Sequence, residues 1–214
     1  MNFGEFLIRR ADDMLELGLA HAAVVGGAVL ISTLIGVALG VLTYRSERAR
    51  ETVLAITGSF LTIPSFALFI LLLGPLGLGW QPVLLALILY GLMPVVRNTV
   101  TGLRGVDPAV VESAKGMGLS RRQLLLRIEL PLAWPVIITG VRVTALVLLG
   151  IAAIGAIVNG PGYGELIFTG LARVGTPVAV NMVLAGTVGV MILAVVFDLA
   201  FYAVKRLTTS RGIR

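Results

Sequence analysis

The side chains that carry most enzyme chemistry are nearly absent from this 214-residue chain. It has no cysteine, which excludes disulfide scaffolds, thiolate metal sites and cysteine nucleophiles. Its one histidine, His21, cannot build a His-rich metal site. The chain also lacks the Gly-x-x-x-x-Gly-Lys-Ser/Thr loop that cradles nucleotide phosphates, so any nucleotide would bind to another chain. The sequence therefore predicts no catalytic residue, no metal site and no enzymatic activity of its own.

The composition explains why polar chemistry is scarce. Hydrophobic residues make up 57% and charged residues 13% of the chain, against about 45–50% and about 25% in a soluble domain. A helix of about 20 mostly apolar residues spans the hydrocarbon core and satisfies its own backbone there. The sequence predicts an all-α integral membrane protein with a transmembrane domain over 20–204. Five helices are expected within it, at about 20–44, 53–78, 82–96, 136–158 and 181–204.

The basic residues predict the orientation of these helices. Fourteen of the seventeen Lys and Arg residues fall on the side that holds the 97–135 loop and the 205–214 tail. Short loops rich in Lys and Arg stay in the cytoplasm, so the N-terminus is expected outside and the tail inside. The net charge of +6 then needs no nucleic-acid partner. Residues 1–19 are expected to be extracytoplasmic or interfacial, and 3–17 form either a short amphipathic helix or a solvated leader.

The 97–135 loop carries clear signals for two short helices. Asp107 is an N-cap before Pro108, and the first helix should end at Met117. Gly118 suits a left-handed cap, and Ser120-x-x-Gln123 opens a second helix as a capping box. This second helix should run to about Glu129 and be terminated by Pro131. A loop with two capped helices favours docking of a partner. The alternative is that the loop packs on the cytoplasmic face of the chain's own bundle.

Residues 112–131, ESAKGMGLSRRQLLLRIELP, resemble the EAA loop of binding-protein-dependent ABC importer permeases. The Glu-Ala-Ala triplet, the glycine and the Ile-x-Leu-Pro end all match at the family's spacing, with serine in place of one alanine. The resemblance implies a type I importer permease whose cytoplasmic coupling helix sits in a cleft of an ATPase subunit. The residues that match, and are expected to serve this coupling, are Glu112, Ser113, Ala114, Gly118, Ile128, Leu130 and Pro131.

Three further segments resemble permeases for osmoprotectants such as glycine betaine, choline, carnitine and proline betaine. They are Thr62-Ile-Pro-Ser65, the 89–103 run and the GPGYG turn at 160–164, where Pro161 and Tyr163 depart from the family's glycine run. The resemblance implies a bacterial or archaeal cell-membrane importer. Its partners would be two ATP-binding subunits that carry ATP and Mg²⁺, an extracytoplasmic solute-binding protein and a second permease copy or close paralogue. A methionine-like amino-acid importer permease and a non-transporting membrane assembly subunit are the alternatives.

Single polar residues within the spans give weaker predictions. Pro64 should kink the second helix, and with Thr62 and Ser65 it is a candidate to line the translocation path. The two hydroxyls could equally bond the carbonyls that the proline frees. Arg142 and Asp198 lie toward helix ends, where snorkelling is favoured over a functional role, although the two could pair. His21 is expected as a polar flank and Gly36-x-x-x-Gly40 as a helix-packing face.

Overall fold

The computed structural model describes residues 2–209, and the regular structure of this part of the chain is helical. Residues 210–214 of the predicted tail, and Met1, lie outside the described residues. A π-helical turn spans Leu125–Glu129 and a 3₁₀ turn spans Gly155–Val158. The ten α-helices within residues 2–209 are α1 (Phe3–Arg9), α2 (Ala11–Thr43), α3 (Glu47–Thr62), α4 (Ser65–Leu76), α5 (Trp80–Arg104), α6 (Pro108–Gly116), α7 (Arg121–Leu124), α8 (Leu130–Ile154), α9 (Gly164–Ala172) and α10 (Ala179–Thr208).

Within residues 2–209, four helical stretches are long and apolar enough to cross a membrane. They are α2, α5, the stretch 121–158 that contains α8, and α10, which match four of the five predicted spans. The second predicted span corresponds to the pair α3 and α4, which together would make a fifth crossing. The fold is therefore all-α with four spans, or five when the bent pair counts as one.

The second span is broken rather than kinked. Helices α3 and α4 meet at 96°, and Ile63 and Pro64 between them have extended backbone. A proline disfavours the helical conformation of the residue before it, which explains why Ile63 leaves the helix. The hydroxyl of Tyr90 on α5 donates to the Ile63 carbonyl at 2.7 Å. The kink that was predicted at Pro64 is therefore a full break between two helices.

Several helices extend beyond the apolar runs that predicted them. Helix α2 begins at Ala11 instead of near residue 20, because Asp12 and Asp13 suit the first turn of a helix, where the backbone dipole favours negative charge. Helix α5 continues through Arg97 and ends at Arg104, before Gly105. Hydropathy marks where the apolar run stops, whereas a helix continues as long as its own backbone bonds do. The predicted 97–135 loop therefore begins in fact at Gly105.

Close packing of α2, α5 and α8 forms the centre of the bundle. A Cβ at Gly36 would lie 2.7 Å from Val95 Cγ1, and one at Gly40 would lie 2.6 Å from Thr99 Cβ. The Gly36-x-x-x-Gly40 face thus packs α2 on α5 within the subunit, as predicted. Buried apolar side chains complete this core, among them Val25, Ala28, Phe69, Leu87, Ala145 and Leu149.

His21 is buried, and the prediction of a polar flank was wrong. The backbone N–H of Tyr163 donates to His21 Nδ1 at 3.3 Å. In the neutral ring the proton is then on Nε2, which donates to the Leu149 carbonyl at 3.1 Å. Gly162 has a φ of +117°, and a Cβ there would lie 2.6 Å from the His21 Cβ. The histidine therefore fixes the GPGYG turn against α2 and α8.

The segments at the end of the bundle that holds His21 and the GPGYG turn are more helical than predicted. Part of the predicted loop between the last two spans forms α9, which packs on α10. Helix α1 covers only part of the predicted 3–17 helix, and its buried Phe6 contacts the cluster around Tyr163 and Met182. Both short helices cover the end of the bundle opposite the α6–α7 loop.

Candidate functional site

Helices α6 and α7 form a hairpin whose local signals match the predicted ones. Asp107 Oδ1 accepts from the Ala109 N–H at 2.8 Å, and Pro108 follows at the first helical position. Gly118 has a φ of +80°, as a left-handed turn requires. Ser120 and Gln123 form a reciprocal capping box, with bonds of 2.8 and 3.3 Å between side chain and backbone. This helix, turn and helix were predicted from the sequence.

Only some of the predicted coupling residues lie on the exposed surface of this hairpin. Glu112, Ser113 and Gly118 are exposed. Ala114 is 1% exposed, because this side of α6 faces inward, against α7 and the π-helical turn. Sequence spacing alone does not tell which face of a two-turn helix is outermost. Met117, 71% exposed, was missed and adds an apolar contact to the outer surface.

The second half of the hairpin continues into the membrane span. The predicted stop at Pro131 was wrong, because the chain is helical from Arg121 through the π-helical turn into α8. The Leu130 N–H donates to the Leu125 carbonyl across that turn. Pro131 then lies directly after the π-helical turn, and this wider turn accommodates the backbone N–H that the proline lacks without ending the helix. Ile128 and Leu130 are half-buried and Pro131 is exposed, so these three residues lie where the hairpin joins α8.

A buried carboxylate ties this junction to the first span. Glu129 is 5% exposed and accepts a hydrogen bond of 2.7 Å from the Tyr44 hydroxyl. Arg45 Nη2 donates to the two Glu129 oxygens at 3.0 and 3.3 Å, and its guanidinium lies 5.0 Å from the Tyr44 ring centroid. Sequence analysis missed this cluster, although an acid within an apolar turn was a usable signal, since buried charges are nearly always paired.

A cavity of about 540 Å³ separates α6 from the end of α2. Helix α6 packs on α7 and the π-helical turn, and it is therefore not pressed flat against the bundle. This arrangement argues against the alternative that the loop simply covers the chain's own surface. The cavity is lined by Arg45, Val111, Lys115, Leu119, Arg121, Leu124 and Glu129.

The candidate path residues surround the break between α3 and α4. Thr62 and Pro64 are exposed, and Ser65 is half-buried. The Thr62 hydroxyl donates to the Ser59 carbonyl at 2.7 Å, so it does bond the helix's own backbone. Tyr90 rather than a nearby Ser or Thr satisfies the freed Ile63 carbonyl. Thr62 is therefore compatible with both functions that the sequence left open. Its hydroxyl bonds a carbonyl of its own helix, and the residue remains exposed, as lining a path requires.

Arg142 and Asp198 pair across α8 and α10. Arg142 Nε and Nη2 donate to the two Asp198 oxygens at 2.5 and 2.7 Å. The pairing that the sequence left open is thus confirmed. The two residues are 56 positions apart, so one sequence could not show which charges meet.

Comparisons with known proteins agree with this geometry. Residues 32–210 match the family of binding-protein-dependent transport system inner membrane components. The choline transport system permease protein OpuBB of Bacillus subtilis (strain 168) is 34% identical over 210 residues, which cover 98% of this chain and 95% of that protein. The glycine betaine/carnitine/choline transport system permease protein OpuCD of the same organism is 38% identical over 179 residues, covering 83% and 76%.

A solved structure shows the same fold. A chain of the MetNI methionine ABC transporter in inward-facing conformations superposes with a TM-score of 0.81 at 20% identity, covering 92% of this chain and 96% of that one. At this identity the likeness concerns the fold alone. The family match over most of the sequence, with relatives 34% and 38% identical, shows that this multi-pass membrane protein belongs to the binding-protein-dependent ABC importer permeases.

Proposed function

We propose that this chain is the membrane-spanning subunit of an ATP-driven importer for osmoprotectants of the quaternary ammonium class, such as glycine betaine, choline, carnitine or proline betaine. The observation that carries the proposal is the α6–α7 hairpin, whose exposed turn is continuous with span α8. Relatives 34% and 38% identical over most of the chain are named for choline and for glycine betaine, carnitine and choline. Their names support the cargo class.

The partners follow from what the chain lacks. ATP and Mg²⁺ are expected on two separate ATP-binding subunits, each of which receives the α6 of one permease copy. The bundle has four or five spans, and we expect it to form half of a path that a second copy or a close paralogue completes. A solute-binding protein delivers cargo to the outer side. The Lys and Arg distribution supports a cytoplasmic hairpin and C-terminus and an external N-terminus.

The geometry suggests how movement is passed on. When the ATP-binding subunits close, they draw the two α6 helices together. Because α7, the π-helical turn and α8 form one continuous helical stretch, displacement of the hairpin tilts α8. Glu129 links the same point to the end of α2 through Tyr44 and Arg45. Two spans thus move together, and the bundle alternates between inward- and outward-facing states.

Uptake by the reconstituted complex tests the cargo class. The permease, its ATP-binding subunit and its binding protein would be placed in proteoliposomes, and uptake of labelled choline, glycine betaine, carnitine and methionine would be measured. We expect ATP-dependent uptake of one or more quaternary ammonium compounds and none of methionine. Methionine uptake alone would favour the amino-acid importer. A complex without any ATP-binding subunit would favour an assembly subunit.

A further inference from the structure

We propose that the Arg142–Asp198 pair faces the water-filled translocation path and contacts the charged groups of the cargo as it passes. This inference rests on the proposed function for the identity of the cargo, but its placement of the pair is independent of that identity. The alternative is that the pair only ties α8 to α10 and is covered by the second permease copy.

The pair lies well away from the cytoplasmic ends of α8 and α10. Two other polar contacts join α8 and α10, from Trp134 Nε1 to Thr208 Oγ1 at 2.7 Å and from Lys205 Nζ to Thr139 Oγ1 at 3.2 Å. Arg142 comes eight residues after Trp134, which at about 1.5 Å per residue places it about 12 Å further along α8. Tryptophan favours the membrane–water interface and the hydrocarbon core is about 30 Å thick, so the pair is expected to lie about 12 Å inside the membrane.

The pair is nevertheless partly uncovered. The Arg142 side chain is 38% exposed and that of Asp198 is 33% exposed. Charged groups within a membrane face the interior of a bundle or a water-filled cavity, because contact with lipid is costly. Two hydrogen bonds also hold the guanidinium against Asp198, so it is not free to reach toward the membrane surface. The exposed side of the pair is therefore expected to face water.

The neighbouring surface of α8 suits a narrow path. Thr139, Val143, Val147 and Gly150 are exposed and recur at spacings of four and three residues, so they share one face of the helix. All four are small or β-branched, and a Cβ at Gly150 would meet nothing within 4 Å. The exposed face of α2, by contrast, carries Leu30 and Leu34 and resembles a lipid-contacting surface.

The chemistry of the pair matches a zwitterion. Arg142 uses Nε and Nη2 on Asp198, and a guanidinium has further donors for a second carboxylate. Asp198 offers negative charge to a quaternary ammonium group. Glycine betaine and carnitine carry both groups, whereas choline has only the cation. Arg142 should therefore matter more for glycine betaine and carnitine than for choline.

Cysteine accessibility tests the placement, and the absence of native cysteine makes the chain suitable for it. Val143→Cys and Gly150→Cys would be compared with Leu30→Cys and Leu34→Cys in the assembled complex, with and without a trapped ATP state. The probe is a trimethylammonium-bearing methanethiosulfonate. We expect it to modify the α8 positions at least about tenfold faster than the α2 positions in one of the states. Equal protection of all four positions would overturn the proposal.

Cargo selectivity tests the contact. Arg142→Gln should reduce uptake of glycine betaine relative to choline by about tenfold, the size expected for loss of a charged hydrogen bond. Because Arg142→Gln could also harm assembly, the reversed pair Arg142→Asp with Asp198→Arg serves as a second variant. If the reversed pair restores assembly but not the wild-type ratio of glycine betaine uptake to choline uptake, contact with cargo is supported. Restoration of both assembly and this ratio contradicts the contact. Failure of the wild type to import either compound would contradict the proposed cargo class. The labelling result would still decide whether the Arg142–Asp198 pair faces the path.

Discussion

Glu129 is the residue at which the hairpin, the π-helical turn and the first span meet. Its carboxylate is bonded to both Tyr44 and Arg45, and it is almost fully buried. Removing one partner of a buried charged bond leaves the other groups unsatisfied, which costs more than the bond itself contributes. The residue is thus placed to hold α2 and α8 together while the hairpin moves.

Glu129→Gln should lower the stability of the complex by about 1–3 kcal/mol, because Tyr44 keeps an acceptor but Arg45 loses its charged partner. Thermal unfolding of the detergent-purified complex measures the effect. Glu112→Gln is the matched control, since Glu112 is an exposed glutamate of the same hairpin. Equal unfolding temperatures for the two variants would show that the Glu129 cluster does not hold the junction.

Gly118→Val should leave the subunit inserted in the membrane but abolish transport. The φ of +80° is costly for a β-branched residue, while open space around the glycine excludes a clash within the chain. Gly116→Val is the control, because Gly116 is also exposed and uncrowded but has no positive φ. Uptake and the amount of permease in membranes would be measured together. Equal uptake by both variants, at normal permease levels, would contradict a coupling function for the Gly118 turn.

At the scale of elements, two prolines show what a single sequence can and cannot predict. Pro64 and Pro131 were both expected to disturb a helix, yet one separates α3 from α4 by 96° and the other lies inside the start of α8. The difference depends on the preceding backbone, which is extended at Ile63 and π-helical before Leu130. Caps and apolar runs are local and were predicted.

Contacts between distant residues could not be predicted in the same way. Glu129 meets Tyr44 across 85 positions and His21 meets Leu149 across 128 positions, so nothing in local spacing marks them. The exposed face of α6 was also beyond prediction, since it depends on how α7 packs against Ala114. The sequence was therefore informative about spans and turns, and poorly informative about which side chains join them.

Tyr90→Phe should destabilise the α3–α4 break by about 1–3 kcal/mol, since the Ile63 carbonyl loses its donor in apolar surroundings. Denaturant unfolding of the purified permease measures this loss. Tyr202→Phe removes the same hydroxyl from an exposed position on α10 and should leave stability unchanged. A result in which both substitutions are neutral would mean that Tyr90 does not stabilise the break.

At the scale of the whole molecule, the distribution of Lys and Arg predicts that the hairpin and the turn between α9 and α10 lie on opposite sides of the membrane. Lys115→Cys and Val174→Cys are both exposed positions for labelling in intact cells. An impermeant maleimide should label only position 174, and position 115 should react after the membrane is permeabilised. External labelling at position 115 would reverse the topology and remove the coupling function from α6.

Stimulation of ATP hydrolysis by cargo-loaded binding protein tests most directly whether the hairpin couples an ATPase to the spans. The reconstituted wild-type complex would be compared with Met117→Glu, which adds a charge to an exposed apolar position of the turn without disturbing a buried side chain. We expect cargo to stimulate hydrolysis in the wild type, and the variant to lose this stimulation or the ATP-binding subunit itself. Undiminished stimulation in the variant, or a wild-type permease that binds no ATP-binding subunit, would contradict a coupling function for the hairpin.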